Sequence, residues 1–274
     1  MANSWKQELI EALQGNDLVQ AQKTTASNIP KKLYKHFSIS DNTFDTLEKG
    51  AVWLSDPSSF NDPYDSATSL ISETMQPGWE EEMDITSEQL SAINTAKEIF
   101  EMAKHQDDLK QIRRALRVCC FSELNNSILM WSHYADEHKG ICVEYDLTSL
   151  VSTTLPPKWF LYPMIYSETL FDVNPYMNET NIHPLSLMLC SLYKSDEWSY
   201  EKEWRLITAP VIMPKAGHMQ IPQPTAIYLG SRIKTEHRQT LKEFAFRKEI
   251  KLFKTDFDPL KFRMHFSEIT VSGI

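Results

Sequence analysis

The chain has 274 residues, 42% hydrophobic and 11% aromatic, enough for one large core, since single cores stop growing near ~250–300 residues. Seven glycines and no GxGxxG or P-loop string argue against a fold built on glycine-rich phosphate loops. A formal net charge of −9 argues against a uniformly basic nucleic-acid binder, and four scattered cysteines argue against a disulfide framework or a CxxC zinc site.

Asn3 or Ser4 is placed to cap a first amphipathic helix carrying Trp5, Leu9, Ile10 and Leu13 on one face, ended by Gly15, Asn16 and Asp17. The polar stretch to Pro30 reads as a linker. Residues 1–30 are thus an N-terminal helix and linker ahead of one domain over 31–274. Residues 32–37 form a short strand. Ser40 or Asp41 starts a helix through Phe44 and Leu47, and Gly50 sits where a left-handed C-cap is wanted. A strand over 51–55 follows, then a structured loop over 55–64, rich in Asp, Asn, Ser and Pro. Residues 67–72 return as a strand.

Thr86 with Gln89 resembles a capping box opening a helical region over 87–114, which places a helical insertion around 75–116. Beyond it come a strand over 118–122, a helix over 126–135 and a strand over 140–145. An extended stretch over 159–166 and an apolar helix over 184–193 follow. Strands over 203–208 and 225–229, a helix over 235–248 and a strand over 250–254 complete the order. Without a regular βαβ period, this mixture reads as a single α+β domain. The acidic segment 73–84 and the basic segment 232–263 read as solvated faces. No run approaches the ~18 apolar residues of a membrane helix. The first eight residues carry two charges and no apolar signal core, so a cytoplasmic protein with free thiols is expected.

Four segments hold more polar and aromatic residues than packing needs. On a strand, Tyr34 and His36 share one face while Lys35 turns to the other with Leu33 and Phe37. Lys35 there is either functional or snorkelling to water. In the loop, Ser55, Asn61 and Asp62 either organise turns or offer side chains at a pocket rim. Ser122 closes one strand, and Met130, Trp131, His133 and Tyr134 crowd one helix, where core packing competes with a ligand role. The richest run is Trp198, Ser199, Tyr200, Glu201, Lys202, Glu203, Trp204 and Arg205. In extended conformation the Glu201 and Glu203 carboxylates project to one side amid aromatics. Such carboxylates orient a sugar hydroxyl and stabilise an oxocarbenium ion. The competing account is a Glu–Arg ion pair at a strand start.

As an ordered set these segments resemble the bacterial family known as domain of unknown function 2971. The resemblance rests on Leu33, Tyr34 and Lys35; on Trp53 through Pro57 with Phe60 through Tyr64; on Cys120 through Ser122; on Met130 through Ala135 with Gly140; and on Trp198 through Arg205. That family name implies no activity. The order of strand, helix ending in Gly, strand, Ser- and Tyr-bearing segments and a late Glu also resembles the ADP-ribosyltransferase superfamily. This second resemblance implies a mixed-sheet core with NAD as substrate and no metal. A first-strand residue, Lys35 or His36 beside Tyr34, would hold the NAD riboses. Ser55, Ser122 or Tyr134 would line the nicotinamide pocket. Glu203, with Glu201 two residues earlier, would be catalytic.

The expected function is therefore ADP-ribosyl transfer from NAD to a protein or nucleic-acid acceptor, in a toxin or phage-defence setting where an antitoxin partner is compatible. Two alternatives remain: NAD hydrolysis by the same residues, and a non-enzymatic protein or nucleic-acid interaction module whose aromatics are core.

Overall fold

A computed structural model describes residues 4–67, 113–151, 159–173, 188–208 and 213–270, with isolated positions at 107, 110, 111, 175, 177, 178, 181 and 182. The expected returning strand, the capping box and nearly all of the helical insertion lie outside the described residues. Helices α1 (Ser4–Gln14) and α2 (Leu18–Asn28) come first, followed by strand β1 (Leu33–Phe37), helix α3 (Asp41–Glu48) and strand β2 (Ala51–Leu54). Next come β3 (Arg117–Ser122), α4 (Ile128–Tyr134) and β4 (Ile141–Tyr145). Short strands β5 (Phe160–Pro163), β6 (Ile165–Ser167), β7 (Met177–Asn178), β8 (Asn181–Ile182) and β9 (Tyr193–Ser195) lead to β10 (Glu203–Thr208). The chain ends in β11 (Gly217–Gln220), β12 (Ala226–Leu229), α5 (Thr235–Lys248), β13 (Lys251–Phe257) and β14 (Met264–Glu268).

Local chemistry explains several boundaries. Ser40 Oγ accepts from the Thr43 amide to start α3, and Gly50 follows it with φ +57°, the left-handed position a β-carbon resists. Ser127 caps α4 through the Met130 amide. The stretch read as a linker is helix α2 instead, because Asp17 Oδ1 accepts from the Gln20 amide and Ala21 is fully buried. Polar composition hid this, since Gln22, Thr24 and Thr25 are buried too. The apolar helix expected over 184–193 is helical over 188–190 and then turns into β9.

Eight strands form one mixed sheet, ordered β14-β13-β12-β4-β1-β3-β10-β5. Its strands pair antiparallel except for β12 and β13, which run parallel through the crossover helix α5. One face carries Leu33, Cys119, Phe121, Val143 and Leu206, packed with Leu47 of α3 and Leu241 and Phe244 of α5. The opposite face holds two apolar clusters. Tyr34, Trp131, Cys142 and Tyr228 form one, and Val118, Tyr162 and Ile207 form the other with Leu9 and Leu13 of α1.

The strip between those clusters is polar, and register fixes its contents. Glu144 pairs with Tyr34, Tyr34 with Ser122, and Ser122 with Glu203, one row across four strands on a single face. One step along, Cys142 pairs with His36 and Cys120 with Arg205. β1 meets β4 over its whole length, but it is registered with β3 at Tyr34 and Ser122 alone. The sheet therefore parts beside that pair.

Gly140, just before β4, shows how closely α4 approaches β1. A β-carbon there would sit 2.0 Å from the Phe37 carbonyl oxygen and 2.9 Å from that of Ala135. Both neighbours are backbone, so neither can swing away. Gly140→Ala is expected to lower stability by about 2–3 kcal/mol, the upper part of the overpacking range; an unchanged denaturant midpoint would contradict this close approach.

Candidate functional site

Where β1 and β3 part, a cavity of about 200 Å³ opens, lined from β1 by Tyr34, Lys35 and His36 and from β3 by Cys120, Phe121 and Ser122. Phe60, Asn61 and Asp65 close one side, Met130 and Tyr134 of α4 another, and Lys194, Glu201, Glu203 and Arg205 complete it. Residues pointing to both faces line it because the opening runs between separated strands. Of the eleven residues the sequence assigns to the site, nine thus meet here: Tyr34, Lys35, His36, Asn61, Ser122, Tyr134, Glu201, Glu203 and Arg205. Ser55 and Asp62 do not line the cavity. Ser55 is spent bridging Val118, its amide and carbonyl paired with that residue's backbone at 2.9 Å. Asp62 Oδ1 accepts from the Tyr64 amide, a turn-forming bond.

The polar side is one continuous chain of charges. Arg205, fully buried, donates from Nε to Glu203 Oε1 at 2.6 Å, and from Nη1 and Nη2 to the two Asp65 oxygens at 2.8 and 2.5 Å. Nη1 also donates to the Ser191 carbonyl at 2.6 Å, and the guanidinium carbon lies 5.4 Å from the Phe60 ring centre. Lys194 Nζ donates to Glu203 Oε2 at 3.0 Å and to Glu201 Oε2 at 2.6 Å, while Tyr134 OH donates to Glu201 Oε1 at 2.6 Å. Glu201 and Glu203 are not consecutive extended residues as expected. Lys202 between them is left-handed (φ 44°), and Glu201 ends the 3-10 turn Asp196–Glu201. The αL kink, with Ser122 Oγ donating to the Glu201 carbonyl at 2.5 Å, brings both carboxylates to the same ammonium. Tyr166 OH accepts from the Glu203 amide at 2.8 Å.

Electrostatics separates the two carboxyls. Burial alone would raise both. At Glu203, Arg205 and then Lys194 outweigh burial and bring the carboxyl down to about 2. At Glu201 burial prevails over Lys194, with Glu203 adding to it, and the carboxyl is raised. Tyr134 is raised by burial and by Glu201, so it stays a donor.

His36 stands apart from this network. It is 8% exposed, and neither ring nitrogen has a hydrogen-bond partner among the described residues. Its ring sits edge-on to Trp131, with centres 5.4 Å apart. Burial, then Lys35 and His138, pushes the imidazole down to about 3, so it is neutral near pH 7. Lys35 follows the alternation in the other direction: Nζ donates to the Cys120 carbonyl at 3.1 Å and lies 5.5 and 5.9 Å from the Phe37 and Phe121 rings. Lys194, Asp65 and Tyr166 were not picked out by sequence reasoning, and Phe60 was named only as part of a motif. Asp65 lies one residue past the quoted loop, and Lys194 carried no local signal.

Among the described residues no helix is long and apolar enough to cross a membrane, and no group of three His, Cys, Asp or Glu is placed to hold a metal ion. Residues 130–206 match the model of a family described as a protein of unknown function (DUF2971). That span holds Tyr134, Lys194, Glu201, Glu203 and Arg205. No curated protein and no solved structure matches the chain.

Because the folded Glu203 carboxyl lies below its ordinary value of 4.5, its ion pairs stabilise the fold fully above that value and are lost as pH falls toward about 2. Glu203→Gln should cost about 3–5 kcal/mol at neutral pH, the scale for breaking a buried pair. Denaturant unfolding at several pH values should show wild type and variant converging on acidification. A gap that widens as pH falls would contradict the pairing.

Proposed function

We propose that this chain transfers ADP-ribose from NAD to a macromolecular acceptor, on an ADP-ribosyltransferase-like core. The observation that carries the reading is His36 and Glu203 on one face of one sheet, opening on one cavity, with both His36 ring nitrogens unsatisfied. A buried polar group left unpaired costs free energy until a ligand completes it. Ribose hydroxyls, which both donate and accept, suit a neutral imidazole.

In this reading His36, rather than Lys35, holds the riboses, because it shares the Glu203 face. Tyr134 and Phe60 wall the nicotinamide, and Asn61 stands at the rim. Two ion pairs and the Cys120 thiol occupy three of the lone-pair positions of Glu203, which leaves one for the ribose hydroxyl beside the breaking bond. The bond from ribose C1′ to the nicotinamide nitrogen breaks and nicotinamide leaves with the electron pair. An acceptor oxygen or nitrogen then bonds to C1′ and releases its proton. The network sets three carboxylates, Asp65, Glu201 and Glu203, against two cations, Lys194 and Arg205. The Glu203 carboxylate, kept ionised by Arg205 and Lys194, favours a sugar becoming positive beside it. A toxin or defence role, an antitoxin and a cytoplasmic setting belong to this proposal as its biological context.

Labelled NAD incubated with the protein and cell lysate tests it. Label on a macromolecule is the expected result, and label appearing only as free ADP-ribose would replace transfer by hydrolysis. Glu203→Gln should slow nicotinamide release about 10²–10³-fold, as removal of one charge-stabilising group does. His36→Ala should weaken NAD binding. If wild-type protein releases no nicotinamide, alone or with lysate, both enzymatic readings fall.

A further inference from the structure

Lys194 belongs to none of the sequence motifs, yet two carboxylates converge on it. Its side chain is 6% exposed, and its ammonium has three protons. Two are accounted for by Glu201 and Glu203, and the Trp198 ring lies 4.8 Å away. Every group packed against the carboxylates is already committed or neutral. Arg205 of β10 gives Nε to Glu203 Oε1 and its other nitrogens to Asp65 and the Ser191 carbonyl, so it cannot reach Glu201. Tyr134 of α4 offers Glu201 an uncharged hydroxyl. Tyr166 of β6 faces the Glu203 amide. The Cys120 thiol of β3 hydrogen-bonds to Glu203 and is kept protonated by burial and then by that carboxylate. Lys35 is turned to the Cys120 carbonyl. Among the described residues, Lys194 is the one cation that offsets Glu201.

We propose that Lys194 is a positioning residue that holds the Glu201 and Glu203 carboxylates side by side and so presents Glu203 to the ribose. It acts through Glu203 without touching the reacting atoms, and this role rests on the reading of Glu203 given above. Without the ammonium, two like charges share a buried site, and the pair answers by binding a proton. That proton spoils the acceptor that the ribose hydroxyl needs. A lysine serving only as packing would not predict it.

The test uses the full chain in four forms: wild type, Lys194→Met, Lys194→Arg and the double variant Glu201→Gln/Lys194→Met. Unfolding is followed between about pH 5 and pH 8, and nicotinamide release from NAD over the same range. The lone methionine variant should become more stable as pH is lowered. A carboxyl raised above its unfolded value takes up its proton in the folded state first, so its destabilising effect disappears on acidification. Removing the Glu201 charge should rescue stability, making the double variant more stable than Lys194→Met at pH 8. Nicotinamide release by Lys194→Met should show an acid limb within that window, whereas wild type and Lys194→Arg, with Glu203 held low by its cations, should show none from this group.

The proposal is overturned if the double variant is no more stable than Lys194→Met, or if both fail to fold. It is equally overturned if Lys194→Met lowers the rate without gaining an acid limb in that window. Failure of the NAD reading is separable from these outcomes. In that event wild type releases no nicotinamide, and the rescue by Glu201→Gln still decides whether Lys194 pairs the carboxylates.

Discussion

The arrangement of the cleft depends on burying the Arg205 guanidinium completely. A guanidinium cannot give up its proton at any ordinary pH, so a site without water must provide a partner for nearly every N–H. Glu203 comes from the same strand two residues away, which alternation allows. The other partners are distant in sequence: Asp65 in the loop after β2 and the Ser191 carbonyl just before β9. One side chain thereby fixes two other pieces of chain against β10. The Asp65 carboxylate receives two parallel N–H donors, a geometry that orients as well as attracts. Removing either end would leave an uncompensated charge in the core, a far larger loss than the net stabilisation the intact pair provides.

From that anchor the site is assembled by register. Because β3 lies between β1 and β10, Ser122 stands between Tyr34 and Glu203, and Cys120 lies opposite Arg205. Ser122 is not available to a ligand as the sequence suggested. Its hydroxyl donates to the Glu201 carbonyl and accepts from the Leu124 amide, so it clamps the turn that presents Glu201. The aromatic residues around the motif divide in the same way. Trp204 points to the opposite face, where Trp5 of α1 stacks on it with centres 6.2 Å apart and its Nε1 donates to Glu123. Tyr134 points inward and holds a carboxylate. Density of aromatics in sequence picked out a segment that lines the cavity, while strand parity decided which of its residues reach the cleft.

Strand alternation made the relation of Tyr34, Lys35 and His36 legible before any coordinates, and the cap at Ser40 with Gly50 fixed α3. The Glu201–Glu203 run was legible as a site through its chemistry, although its backbone was not: a left-handed Lys202 is stabilised by the Ser122 clamp and the Lys194 pairing, neither of which is local. Lys194 itself was invisible because β9 spans three residues beside an apolar segment, and its partners lie seven and nine residues ahead. Helix α2 was missed for a related reason: its burial depends on neighbours elsewhere in the fold, so its own composition reads as polar loop. Strand β14 is an edge strand with Met264 alone buried, so it carries no buried alternation to read. Local pattern reports propensity, whereas a charge network reports only what the closed chain has brought together.

The two ends of that network are not equivalent, and this difference gives the site its direction. At the Asp65 end a carboxylate is closed off by two guanidinium nitrogens. At the other end Glu201 has one oxygen on Lys194 and the second on a phenol, a neutral donor that screens its charge less than a cation would. The less screened carboxylate is therefore Glu201, at the end nearest α4, rather than Asp65. Water-poor surroundings magnify the field of such a charge. A positive group gains most beside Glu203 and the Tyr134 hydroxyl, and the neutral His36 ring lines the same cavity from the same face of the sheet.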